Sequence, residues 1–91
     1  MNQKLTPHKV KKVHPFGAKE IKKSASIIKN MIKLAGSSYK LATLMGVTQP
    51  RIYQFLTEGV TPALVMRMCE LSGGSIKPWE LRPDYYPPPG W

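Results

Sequence analysis

The sequence has few of the residues that build metal, redox or catalytic centres. It contains one cysteine, Cys69, and two histidines, His8 and His14. One cysteine cannot form an internal disulfide, and these three residues do not make a ligand set for zinc. No motif sets any of the five acidic residues beside a nucleophile or a base, so we expect no enzyme, no catalytic residues, no metal and no cofactor.

Long apolar runs are absent as well. No stretch approaches the roughly 20 apolar residues that a membrane span needs, and the N-terminus lacks the apolar segment of a secretory signal. We therefore expect a cytoplasmic protein with no membrane partner. Hydrophobic residues make up 42% and charged residues 21% of the 91 residues, which is typical of one globular domain.

Positive charge is abundant, and it is unevenly distributed. The net charge is +9, and the first 40 residues hold ten of the 14 basic residues but a single acid, Glu20. The rest of the chain has four basic and four acidic residues. Such a cationic segment indicates a polyanionic partner such as nucleic acid. Taken alone, it is also compatible with a solvated surface.

Apolar periodicity and glycine positions predict an all-α chain of four to five short helices. Residues 1–18 hold prolines, lysines and little periodicity, which predicts a flexible basic arm. Four helices, each with a possible cap at its start and a glycine after its end, are predicted at about 21–35, 37–45, 48–58 and 61–73. Ser37 and Ser38 are alternative caps for the second. A short helical turn follows near 76–81, so the domain spans 19–84.

Residues 85–91 form a proline-rich tail that cannot be helical. Three successive prolines favour the polyproline II conformation. The tail is predicted to be a terminal strap or frayed end, or alternatively a ligand for an SH3-like partner domain.

The stretch from residue 38 to 57 fits a helix-turn-helix motif. Two helices that meet steeply across a three- or four-residue turn need a small residue on the first helix and favour glycine in the turn. Ala42 and Gly46 occupy these positions. The inward positions are all apolar, and they are Leu41, Met45, Val47, Ile52 and Phe55. A generic helical hairpin would not require this register.

The outward positions of the second motif helix carry polar side chains with little charge. Gln49 and Gln54 can bond bidentately to adenine in the major groove, and Arg51 can bond to guanine. Tyr53 can touch a thymine methyl or the sugar-phosphate edge, or it can be a half-buried packing residue. The sequence therefore predicts double-stranded DNA as the partner, with these four residues as base contacts.

A second group of residues is predicted to contact DNA phosphates. Hydroxyl groups and free backbone N–H groups at helix N-termini suit an anion, as do lysine ammonium groups. The members are Ser38, Lys40, Thr48, Thr57, Lys22 and Lys23.

Four segments resemble the Cro-like repressors of phages and prophages, particularly the YdaS type. They are Leu34-Ala35-Gly36-Ser37, Gly46-Val47-Thr48-Gln49-Pro50, Gly73-Gly74 and Glu80-Leu81-Arg82-Pro83-Asp84, within a resemblance covering roughly residues 24–87. The resemblance implies a five-helix, lambda-repressor-like fold that binds operator DNA as a homodimer. Two features depart from that pattern: the longer lysine-rich arm, and Pro50 at a position that commonly carries a polar contact residue.

A homodimer is also favoured by the small number of base pairs, about four or five, that one recognition helix reads, since a genome offers very many competing sites. A pseudo-palindromic operator would follow. Apolar residues after Gly74 are the candidate dimer contacts, although part of them must close the core: Ile76, Trp79, Leu81, Tyr85 and Tyr86. An alternative stays open, in which an antitoxin-like or prophage regulatory protein binds a partner protein, for example through its tail, and binds DNA for autoregulation.

Overall fold

Five helices and no strand follow one another in the residues that the computed structural model describes, 14–90. They are α1 (Ala18–Ala35), α2 (Ser38–Met45), α3 (Gln49–Glu58), α4 (Pro62–Leu71) and α5 (Pro78–Leu81). This confirms the predicted all-α fold class. Most of the predicted basic arm and Trp91 of the tail lie outside the described residues.

The start of α1 lies earlier than the apolar pattern predicted. The Glu20 carboxylate accepts a 2.9 Å hydrogen bond from the backbone N–H of Gly17, which is the N-cap. That bond holds the pKa of Glu20 below its ordinary value. The first turn is therefore stabilised by a polar cap, so periodicity begins at Ile21 although the helix begins at Ala18.

A glycine and a serine shape the junctions around α2. The Ser37 hydroxyl accepts a 3.0 Å hydrogen bond from the N–H of Lys40, so Ser37 is the capping residue of the two predicted alternatives. Gly46 ends α2 with φ at +74°, a left-handed conformation that glycine adopts without strain. Thr48 is the N-cap of α3, but its side chain makes no capping bond. The predicted turn chemistry therefore holds in the backbone.

The core lies between α1, α2 and α3 and is closed by α4 and α5. The predicted inward residues of the motif are buried, apart from Val47, which is half-buried against the core. Ala42 and Ile52 are among them, at 2% and 0% exposure. The buried hydrophobic residues are Ile28, Met31, Leu41, Ala42, Met45, Ile52, Phe55, Val60, Val65, Met68, Cys69, Ile76 and Leu81.

The segment after α4 packs back on this core. Leu81 is fully buried and Ile76 is 9% exposed, so neither presents a surface to a second protomer; both close the core. Among the other candidate dimer contacts, Tyr85 is 61% exposed, whereas Trp79 and Tyr86 are half-buried. The segment therefore divides between core closure and an exposed aromatic surface.

Candidate nucleic-acid interface

The polar residues of α3 lie on three sides of the helix. Burial of Ile52 and Phe55 sets the inward side. At about 100° per residue, Gln54 and Thr57 then point directly outward, together with Pro50, and all three are exposed. The remaining polar residues lie on the two flanks, Gln49 and Tyr53 on one and Arg51 and Glu58 on the other.

A hydrogen-bonded cluster ties one flank of α3 to α2. The Gln49 amide nitrogen Nε2 donates to the Ser38 hydroxyl at 2.7 Å and lies 3.4 Å from the Tyr53 hydroxyl. The hydroxyl groups of Ser38 and Tyr53 are 3.0 Å apart. These bonds fix the Gln49 side chain and leave its amide oxygen Oε1 outside the cluster. Tyr53 is 52% exposed, so the cluster borders the outward face.

Ser38 has a role in this cluster that differs from the phosphate contact predicted for it. Its side chain is 8% exposed, and its hydroxyl is engaged by two side chains of α3. The residue is therefore placed to orient Gln49 and Tyr53 within the protomer. Sequence reasoning missed this role because the contact spans 11 residues and depends on how α2 and α3 cross.

Arg51 lies on the opposite flank, away from Gln49. Its Nη2 donates to the Thr61 hydroxyl at 3.1 Å, and Thr61 is the N-cap of α4. The guanidinium is thus held beside the N-terminus of α4, where the backbone N–H groups also favour an anion. The structure does not bring Arg51 together with the other predicted base contacts.

Two predicted phosphate contacts, Lys40 and Thr48, are exposed in the motif. Lys40 lies in the first turn of α2, and its aliphatic stem passes over Gly36, where an added Cβ would lie 3.2 Å from Cδ of the lysine. Thr48 immediately precedes α3. Thr57 is also exposed, but its hydroxyl donates to the Gln54 carbonyl oxygen within α3 at 3.2 Å.

The two predicted phosphate contacts on α1 are not brought to the outward face of α3. Helix α1 packs through the face that buries Ser24, Ile28 and Met31. Lys22 lies about 200° from Ser24 around the helix. Lys23 lines a groove beside Trp79 of α5. These lysines therefore lie on other surfaces of the domain.

Unneutralised cations dominate the charged surface. Within residues 14–90 the ion pairs are Arg82 with Asp84, 2.7 Å apart, and Arg67 with Glu70, 3.8 Å apart and exposed. Neither pair involves a lysine. The domain surface therefore adds to the positive charge of the arm, as an anion-binding protein requires.

An arginine cluster that the sequence analysis missed joins the two ends of the domain. The Arg82 guanidinium donates to both carboxylate oxygens of Asp84, at 2.9 and 2.7 Å, and to the Val60 carbonyl oxygen at 3.2 Å. Its Cζ lies 4.1 Å from the ring centre of Phe16 and 5.1 Å from that of Tyr85. Arg82 belongs to the Glu-Leu-Arg-Pro-Asp segment noted in the sequence, but its distant partners could not be identified there.

Chemistry of other kinds has little support in the described part of the chain. Residues 14–90 contain no group of three or more His, Cys, Asp or Glu side chains that could hold a metal ion. Burial raises the pKa of the Cys69 thiol. No helix in the same range has both the length and the apolar character needed to cross a membrane.

Comparison with known proteins identifies one family. The family described as bacterial toxin YdaS has a sequence model that matches residues 28–89, from within α1 to the tail. No curated protein and no solved structure matches the chain. The match covers the whole helix-turn-helix motif, and the arm before residue 28 lies outside it.

Proposed function

The chain belongs to the YdaS family, and we propose that it is a sequence-specific transcriptional regulator that binds double-stranded DNA. It acts as a Cro-like repressor, with α3 in the major groove of an operator. The role is non-enzymatic and needs no cofactor. The outward face of α3 is the observation that supports it most directly, because that face is exposed and polar and its first side chain is already oriented by Ser38 and Tyr53.

Preorganisation is the physical reason for this weight. A glutamine that contacts a base must lose its side-chain rotamer freedom, which lowers affinity. Ser38 holds Gln49 in one orientation before any DNA is present. With both amide hydrogens directed at hydroxyl groups, Gln49 offers its Oε1 to an amino group, either adenine N6 or cytosine N4.

The other contacts divide between bases and phosphates. Gln54 is exposed at the centre of the outward face and is suited to bidentate contact with adenine. The bond from Arg51 to Thr61 supports a phosphate role for Arg51, in place of the guanine contact predicted from sequence. Lys40 and Thr48 are further proposed phosphate contacts.

We propose that two copies bind together on a pseudo-palindromic operator. Two-fold symmetry sets half-sites about 34–36 Å apart. Tyr85 is the most exposed aromatic side chain after α4, with half-buried Trp79 and Tyr86 close to it in sequence. Sedimentation of the protein with operator DNA measures the stoichiometry. Two protomers per duplex are expected, and saturation by one protomer at every concentration would contradict the dimer.

Selection of bound duplexes from random DNA tests the proposed function itself. We expect a short pseudo-palindromic consensus, bound at least 1,000-fold more tightly than scrambled DNA of the same length, within the usual range for specific regulators. Gln54→Ala should lower that ratio, and Glu70→Gln, which lies outside the interface, should not. Selection that returns no consensus would contradict sequence-specific binding.

A second candidate function is binding of a partner protein, with DNA binding reserved for autoregulation. It is favoured by a groove of about 400 Å³ between the start of α1, α5 and the tail, lined by Trp79, Ile27, Pro83 and Pro88 among others. The description of the family as a toxin also fits a protein that acts on a cellular partner. Co-purification with a protein encoded next to it, together with equal affinity for all DNA, would favour this candidate.

A further inference from the structure

We propose that Phe16 is a positioning residue that anchors the basic arm, residues 1–13, beside the end of α3. The arm lysines then bind phosphates of the same duplex that α3 contacts. This inference rests on the proposed DNA-binding function and adds to it the path by which the arm takes part. It is carried by the packing of Phe16 against Gly59 and Arg82.

The first contact is with the backbone at the end of α3. Gly59 is the C-cap of α3, is buried, and has φ at +88°. A Cβ atom built on Gly59 would overlap the Phe16 ring, only 2.7 Å from its Cε2 and nearer still to its Cζ. The ring therefore occupies the space that the missing side chain leaves, and only glycine at this position permits the contact.

The second contact is with the Arg82 guanidinium on the ring face. The 4.1 Å separation from the ring centre is within the range of a cation–π contact. Arg82 is itself held by Asp84 and by the Val60 carbonyl oxygen, next to Gly59 in the chain. Phe16 is thus held between the end of α3 and a fixed arginine, 43 residues or more away in sequence.

The position of this anchor relates the arm to the proposed interface. With a rise of about 1.5 Å per residue, Gly59 lies about 7.5 Å beyond Gln54 along the α3 axis. Residues 1–13 contain Lys4, Lys9, Lys11 and Lys12 and no acidic residue. A chain extends at most about 3.6 Å per residue, so the backbone of Lys11 lies within about 18 Å of Phe16.

The anchor acts through effective concentration. Each lysine that neutralises a phosphate releases counterions and adds about 0.9 to the salt dependence of binding. A charged segment tied close to the interface meets the bound duplex at a higher effective concentration than one attached farther away. Phe16 therefore contributes to affinity without touching DNA.

A double-mutant cycle in the full-length chain tests the inference. Four proteins are compared: the unaltered chain, Phe16→Ala, the arm variant K4Q/K9Q/K11Q/K12Q, and the combination. The probes are the selected operator duplex and a scrambled duplex of the same length. The measured quantities are Kd and the slope of log Kd against log salt concentration.

We expect the arm variant to lower the slope by up to about 3.6 on both duplexes. Phe16→Ala should lower it by a substantial part of that amount in the unaltered chain, and should change neither slope nor Kd once the arm lysines are removed. Phe16→Tyr, which keeps the ring, should restore the original slope. A slope unchanged by Phe16→Ala, or an equal loss of affinity with and without the lysines, would overturn the anchor.

Two controls separate other causes. Phe16→Leu keeps an apolar side chain on Gly59 and removes the stack with Arg82, and it replaces Phe16→Ala in the cycle if thermal melts show that the alanine variant is unfolded. If the unaltered chain itself prefers no duplex, the proposed function fails. If it binds the operator and the Phe16 variants keep its salt slope, only the anchor fails.

Discussion

Gln49, the first residue of α3, donates a 2.7 Å hydrogen bond to the hydroxyl of Ser38, the first residue of α2. The two helices of the motif are therefore joined at their N-terminal ends by side chains as well as by the core beneath. The bond orients an amide that the sequence had already marked as a base contact. Its partner is a serine that had been assigned to a phosphate.

Removal of the Ser38 hydroxyl tests that relationship. Ser38→Ala leaves Gln49 and Tyr53 without their shared partner, so operator binding should weaken by about 1 kcal/mol while binding to scrambled DNA stays the same. Filter-binding or fluorescence titrations on both duplexes measure the difference. Ser37→Ala is the matched control, since it removes the α2 cap and should cost about 1 kcal/mol of stability without changing discrimination. Equal losses on both duplexes would assign Ser38 to a phosphate after all.

The flanks of α3 predict different phenotypes for Arg51 and Gln54. Arg51→Ala should weaken binding to all duplexes alike and lower the salt slope by about 1, as loss of a phosphate contact does. Gln54→Ala should instead cost about 1–3 kcal/mol on the operator and leave the slope unchanged. Kd values across a salt series separate the two. Relaxed preference at one base pair in the Arg51 variant would return that residue to base readout.

Gly59 should tolerate substitution poorly for two independent reasons. Gly59→Ala forces a residue with a side chain to φ of +88° and ψ of 165° and drives its Cβ into Phe16, so a loss of about 3 kcal/mol or more is expected. Gly73→Ala is the control, because Gly73 has φ of +71° but nothing within 4 Å of an added Cβ. That variant should lose only about 1–2 kcal/mol. Denaturant melts provide the comparison.

The same two variants allow the clash to be isolated. In a Phe16→Ala background, Gly59→Ala should cost less than it does in the unaltered chain, because the ring is no longer in the way. The cost of Gly73→Ala should be the same in both backgrounds. An unchanged cost for Gly59→Ala would mean that backbone strain accounts for all of it.

The ion pair between Arg82 and Asp84 predicts a dependence of stability on acid. Hydrogen bonding to Arg82 holds the pKa of Asp84 below its ordinary value of about 3.9. The pair therefore stabilises the folded state fully above that pH, and this contribution is lost as the pH falls through the folded pKa. Asp84→Asn should cost about 1.5–3 kcal/mol at neutral pH and should lose less stability than the unaltered chain below about pH 4.

Urea melts between pH 2 and pH 7 measure this dependence. Glu70→Gln is the control, because its exposed pair with Arg67 should contribute no more than about 1 kcal/mol. Parallel curves for Asp84→Asn and the unaltered chain would mean that Asp84 titrates the same way folded and unfolded.

The helices and the inward residues of the motif follow from the sequence because both depend on near neighbours. A glycine after Met45, a serine before α2 and apolar residues three and four apart each act within one or two turns of helix. Ile52 and Ala42 could therefore be assigned to the core, and α3 could be placed to within a residue. The start of α1 was less accurate, since the cap formed by Gly17 and Glu20 leaves no trace in apolar periodicity.

Tertiary structure alone decided which partner each polar or aromatic side chain meets. The contacts of Ser38 with Gln49, of Arg51 with Thr61 and of Phe16 with Arg82 span from 10 to 66 residues. Each depends on the angle at which two helices cross or on where a chain end returns to the core, which no local pattern encodes. Burial of Leu81 belongs to the same class: its apolar character was evident, but whether it faced the core or a partner depended on the path of the chain after α4.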